Sequence, residues 1–104
     1  MGGEPMLIVT GEIEIDPAAA EALRAAALPM MEATAREPGC RFYRFYQDVG
    51  RPGVFRVYEE WESQADLDAH MTTPHMAEWR RALGEIGVRR RQVRILSGAT
   101  VREL

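Results

Sequence analysis

Residues Tyr58–Met76 read Y-E-E-W-E-S-Q-A-D-L-D-A-H-M-T-T-P-H-M. Ser63 followed by Asp66 has the form of a capping box, the serine oxygen accepting from a free first-turn N–H and the carboxylate reaching back. Thr73-Pro74 starts a helix a second time, with a threonine N-cap and a proline where the missing N–H costs nothing. The stretch therefore predicts a strand ending near Trp61, a short helix from about Ser63 to Met71, and another from about Pro74 to Ile86. The chain's two histidines, His70 and His75, and one of its two tryptophans, Trp61, sit at these junctions.

On the N-terminal side, Val54–Trp61 forms the second arm of a hairpin. Its first arm is Cys40–Gln47, C-R-F-Y-R-F-Y-Q, and its loop is Asp48–Gly53, D-V-G-R-P-G. Pro38-Gly39 ends a long alanine-rich helix that opens at Asp16-Pro17 and runs to about Glu37. Leu23, Ala27, Met30 and Thr34 fall on one stripe of that helix, and Pro29 should kink it. From Met6 to Ile15 the residues pass from continuous apolar to strict alternation, a strand signal, and a last strand covers roughly Arg90–Ser97. The first five and last six residues read as tails. The order β-α-β-β-α-β, with the second helix split, predicts a ferredoxin-like split βαβ: an α+β fold with a four-stranded antiparallel sheet and helices on one face.

At 104 residues the chain makes one domain, with 46% hydrophobic and 28% charged residues, as in an ordinary soluble globular protein. No apolar run reaches membrane-span length, and M-G-G-E-P-M matches neither a signal peptide nor a myristoylation site, which points to the cytoplasm. A net charge of −3 argues against nucleic acid as a partner. Cys40 is the only cysteine, which leaves no intramolecular disulfide, no cysteine metal cluster, and a buried structural thiol at a strand start. All thirteen basic residues are arginine, so a Schiff-base lysine is excluded.

Alternation places Phe55, Val57 and Trp61 on one face of the hairpin's second strand and Val54 and Tyr58 on the other. The first strand likewise divides Tyr43 and Phe45 from Phe42 and Tyr46. Both sheet faces are rich in apolar and aromatic side chains and the helices cover one, so a second copy of the chain packed sheet to sheet is expected.

Leu67, His70 and Met71 share the apolar stripe of the short helix, which turns His70 inward. His75, at the second position of the next helix, faces the positive end of a helix dipole, which favours the neutral ring a general base needs. Met76, Trp79, Leu83 and Ile86 form that helix's stripe and read as core rather than pocket, with Arg80 beside it, able to enter a cavity or to reach for water. Trp61 either walls a cleft or belongs to the core. The histidine spacing implies no third metal ligand, so no metal site is expected. The run Arg89–Arg91 with Arg94 reads as a solvated strand edge. These residues describe a largely apolar pocket between helices and sheet that suits an aromatic ligand, and they name no reaction.

Three segments, E-P-G-C at Glu37–Cys40, Y-E-E-W-E-S at Tyr58–Ser63 and A-H-M-T-T-P-H-M at Ala69–Met76, resemble the antibiotic biosynthesis monooxygenase superfamily, and the likeness extends to R-I-L at Arg94–Leu96. The last segment is most similar to its small bacterial quinol monooxygenase branch. The resemblance implies a dimeric α+β barrel and a cofactor-independent oxidation, by O2, of a small phenolic, quinol or polyketide-like aromatic. In that scheme a base deprotonates the substrate, the anion reduces O2, and the radical pair recombines away from water. His70 or His75 would be the base, Arg80 the oxyanion partner, and Trp61, Tyr58, Leu67, Met71 and Trp79 the substrate contacts. Trp61 matches the active-site tryptophan of the polyketide-tailoring members, and Arg80 matches their arginine after a one-residue gap. Their asparagine and tyrosine fall on Val57 and Leu67. In the haem-degrading branch the catalytic tryptophan falls on His70 and the proximal histidine on Arg80, which argues against haem. The alternatives on the same fold are an isomerase of a small hydroxy-ketone and a ligand-binding module without turnover.

Overall fold

A four-stranded antiparallel sheet in the order β2-β3-β1-β4 forms one layer of the computed structural model, which describes residues 6–104. The strands are β1 Met6–Glu14, β2 Cys40–Gln47, β3 Val54–Trp61 and β4 Arg90–Ala99. The helices are α1 Ala20–Ala35, α2 Gln64–His70 and α3 Pro74–Ile86. This is the ferredoxin-like α+β fold. The predicted N-terminal tail lies outside the described residues. No helix among the described residues is long and apolar enough to cross a membrane.

The α1 start differs from expectation. Asp16 accepts from Ala18 N–H, and Pro17–Ala19 form one 3-10 turn before α1 begins at Ala20. The helix continues through Pro29, and Leu23, Ala27, Met30, Met31 and Thr34 are buried along it. Ser63 caps α2 by accepting from Asp66 N–H, but its own hydroxyl donates to Asp66 Oδ2, so the carboxylate grips the side chain rather than the backbone. Thr73 caps α3 through Met76 N–H, with Pro74 in the first turn.

The register carries the β1 parity of Val9 and Ile13 across to Phe55, Val57, Glu59 and Trp61 on β3 and to Tyr43 and Phe45 on β2. This face lies under the helices and holds the core, where Trp61, Ile15, Leu23, His70 and Thr34 are the most completely buried large side chains. The opposite face carries exposed Phe42 and Tyr46, as the alternation implied. It is more polar than expected, because Glu12 accepts from Arg51, Arg56 and Arg90 there. β4 is an edge strand. Arg89 and Arg90 pair with Asp16, Glu12 and Glu14 on the surface, in keeping with a solvated edge.

Candidate functional site

Glu37 follows the last turn of α1, and Pro38-Gly39 then reverses the chain into β2. Gly39 has φ +79°, and a Cβ there would sit 2.1 Å from Asp66 Oδ2, so the turn requires glycine. Gly39 C=O also accepts from Glu62 N–H, which joins this turn to the β3–α2 junction. The turn thereby brings Glu37 to the end of α2 and the start of α3.

Glu37 Oε2 lies 2.8 Å from His70 Nδ1 and 2.6 Å from His75 Nε2. A carboxylate only accepts, so each of these hydrogen bonds places the imidazole proton on the nitrogen facing Glu37. His70 is 1% exposed, and its ring packs 4.8 Å from Trp61 and 5.3 Å from Tyr43. Among the described residues no buried side-chain nitrogen or oxygen lacks a partner. Among the described residues no hydrogen bond uses His70 Nε2, the ring nitrogen turned away from Glu37, and His70 lines the cavity. Burial holds the His70 pKa below its ordinary value against the opposing pull of Glu37, which keeps the ring neutral and Nε2 free to accept a proton.

The cavity has a volume of about 280 Å³ and lies between the sheet and the α2–α3 pair. Leu67, Met71, Met76, Trp79 and Leu83 supply its helical wall, and Val9, Val57 and Val93 its sheet wall. Its polar groups include His70, Glu59, Arg91 and Tyr43. Glu59 is 6% exposed and accepts from Trp61 Nε1 at 2.8 Å. Burial pushes its carboxyl up to about 7, partly offset by that hydrogen bond. Tyr43 is held well above the usual phenol range by burial and by the carboxylates of Glu59 and Glu37.

The structure brings Leu67, His70, Met71 and Trp79 to the cavity. His75 is half-buried and joined to the site through Glu37 rather than lining the cavity. Arg80 donates to Met71 C=O and lines an adjoining groove that shares Met71, Met76 and Arg91 with the cavity; Arg91 occupies the cavity position expected of it. Trp61 does not line the cavity. It is fully buried, with its ring packed against that of His70. Tyr58 is on the wrong face: strand alternation turns it to the open side, where its hydroxyl donates to Glu60 Oε2. Cys40 opens β2 as expected, and burial pushes its thiol up to about 11, which suppresses the reactive thiolate.

Sequence reasoning missed Glu37 and Glu59. Local spacing between the histidines suggested no third group, but the fold supplies one from 33 residues upstream of His70. Glu59 had a visible signal, since it shares the parity of Phe55, Val57 and Trp61 and so had to face the helices.

The model of the family described as antibiotic biosynthesis monooxygenase matches residues 6–82. The chain belongs to this family. "Putative monooxygenase Rv0793" of Mycobacterium tuberculosis is 35% identical over 81 residues, which span 78% of this chain and 79% of that protein. The solved structure of Rv0793 superposes with a TM-score of 0.81 at 32% identity, covering 94% of this chain and 97% of that one. A Deinococcus radiodurans family structure gives a TM-score of 0.86 at 22% identity, a likeness of fold. An uncharacterised Synechocystis protein, sll1783, is 33% identical over 75% of this chain, which spans about half (53%) of that relative. In this member of the antibiotic biosynthesis monooxygenase family, the matched range contains the Glu37–His70–His75 cluster and stops short of β4 and Arg91.

Proposed function

We propose that the chain is a cofactor-independent monooxygenase that oxidises a small phenolic, quinol or polyketide-like aromatic with O2. The observation that carries this reading is His70, held by Glu37 at Nδ1 and lining a mostly apolar cavity, which leaves Nε2 as the nitrogen to meet a substrate. Family membership supports monooxygenase chemistry. A cavity of about 280 Å³ is at the small end of ligand sites, which begin near about 300 Å³.

His70 Nε2 takes the acidic proton of the substrate, and the Glu37 carboxylate stabilises the imidazolium that forms. The resulting anion gives one electron to O2, and the radical pair recombines to a carbon-bound peroxide. Loss of water leaves one oxygen atom on the substrate as a carbonyl and releases the other as water, with the two hydrogens coming from the substrate. Apolar walls keep bulk water from the radical pair. Arg91 and the Glu59 carboxyl serve the developing oxyanion in place of Arg80, because both line the cavity. The working unit in this reading is a homodimer through the open sheet face, supported by the exposed rings of Phe42 and Tyr46. An equilibrium-sedimentation mass near 11.7 kDa would refute that dimer.

One observation favours a second reading. His70 and Glu59 line one cavity, and a base facing a protonatable carboxyl suits an isomerase that moves a proton along a hydroxy-ketone. O2 uptake by purified protein with reduced quinols and anthrone-like phenols separates the two. Uptake above autoxidation that disappears in His70→Gln supports the oxygenase. Absence of uptake across the panel, with ligand binding seen by tryptophan fluorescence, overturns it in favour of the isomerase or a binding module.

A further inference from the structure

Glu37, His70 and His75 come from the α1–β2 loop, the end of α2 and the first turn of α3, and their donor atoms all lie within 4.8 Å of one another. We infer that this cluster binds a divalent transition-metal cation of the zinc or cobalt kind, and that the bound ion reverses the hydrogen-bonding polarity of His70 toward the cavity. Two imidazoles and one carboxylate select borderline cations over magnesium and calcium, which prefer all-oxygen shells. Among the described residues Glu37 hydrogen-bonds to the two imidazoles and pairs with no arginine, so an entering cation displaces no guanidinium.

Tetrahedral zinc with ligand bonds of about 2.0–2.2 Å separates neighbouring donor atoms by roughly 3.4 Å. The Glu37 oxygen now sits 2.8 and 2.6 Å from the two nitrogens. It must therefore retreat by roughly 0.6–0.8 Å to admit an ion. The side chains of Glu37 and His75 are 11% and 22% exposed, and both can turn about their own torsions. His70, packed between Trp61 and Tyr43, stays fixed as the anchoring ligand. Solvent at His75 provides an entry path and a water for the fourth position.

The consequence lies on the other side of the His70 ring. With Nδ1–H donating to Glu37, Nε2 presents a lone pair to the cavity. A cation on Nδ1 uses that nitrogen's lone pair, and the single proton of the neutral ring then resides on Nε2. The ring gains and loses no proton overall, but the group facing the substrate changes from acceptor to donor. This second step rests on His70 acting as the base, as proposed above, whereas the binding of the ion does not.

Tag-free, chelator-treated full-length protein titrated with Co2+ should develop the visible absorbance of a four-coordinate ion at one equivalent per chain, bleached by Zn2+. In Glu37→Gln and in His75→Gln, each checked for a wild-type circular dichroism spectrum, the affinity should fall at least tenfold. A weak six-coordinate spectrum, or an affinity unchanged from wild type in both variants, would overturn the site. Nitrogen NMR of His70 should show the ring proton move from Nδ1 to Nε2 on zinc addition, and an unchanged tautomer would overturn the polarity reversal. O2 uptake is measured separately on the chelator-treated protein. Cobalt binding without uptake refutes only the oxygenase reading, and uptake without cobalt binding refutes only the metal site.

Discussion

Replacing Glu59 by glutamine tests the electrostatics of the cavity wall directly. Burial raises the Glu59 carboxyl from 4.5 to about 7. A raised folded-state pKa means that the stability is fully present below the unfolded value and is lost as pH rises through the folded one, here between about 4.5 and 7. At about 1.4 kcal/mol per pKa unit, linkage gives a loss of about 2.5 kcal/mol between pH 5 and pH 8 from this group alone. Water entering the cavity screens part of that, so roughly 1–2.5 kcal/mol is expected. Glutamine has the same shape, keeps an oxygen for the Trp61 indole N–H, and carries no ionisation cost. Urea unfolding of both proteins across this range should therefore give similar stabilities near pH 5, with Glu59→Gln the more stable near pH 8. His70, whose depressed pKa acts toward acid pH, contributes to both proteins and cancels in their difference. A difference that stays constant from pH 5 to pH 8 would refute the claim that Glu59 is buried at a cost.

Gly39→Ala should destabilise the protein by roughly 1–3 kcal/mol, since the added methyl meets Asp66 in a left-handed turn, and denaturant unfolding reads this directly. Tyr58→Phe should leave substrate KM unchanged and cost less than about 1.5 kcal/mol, because its hydroxyl pairs with Glu60 on the open face; a large KM change would return Tyr58 to the site. Leu67→Ala should cost about 2–4 kcal/mol and widen the cavity, raising kcat/KM for bulkier substrates relative to small ones.

The parts of the fold written in local chemistry were legible in the sequence. The Thr73-Pro74 cap and the Cys40–Trp61 hairpin lie where pattern and turn chemistry placed them, because both act over a few residues. The alternation that correctly turned Val57 and Trp61 toward the helices also excluded Tyr58 from that side, a consequence that resemblance obscured. The site was legible in half. The stripe of α2 turned His70 inward, but nothing local distinguishes a base from a packed imidazole. That distinction depends on Glu37, whose arrival is fixed by the turn at Gly39. Trp61 went the other way: its position at a strand end suited a wall, yet the packing of His70 against it made it a floor for the ring rather than a surface for a ligand.

Glu37 grips His70 from behind, while Leu67, Met71, Met76 and Leu83 shape the space in front. Reactivity and fit therefore reside in separate side chains that can mutate independently. Two of the four are methionines, which repack around a new outline at little cost. A lineage carrying this scaffold can reshape the cavity through these four positions while the Glu37–His70 pair stays intact. The same partition makes Leu67, Met71, Met76 and Leu83 the natural targets for a randomised library, with His70, His75 and the α1–β2 turn left alone.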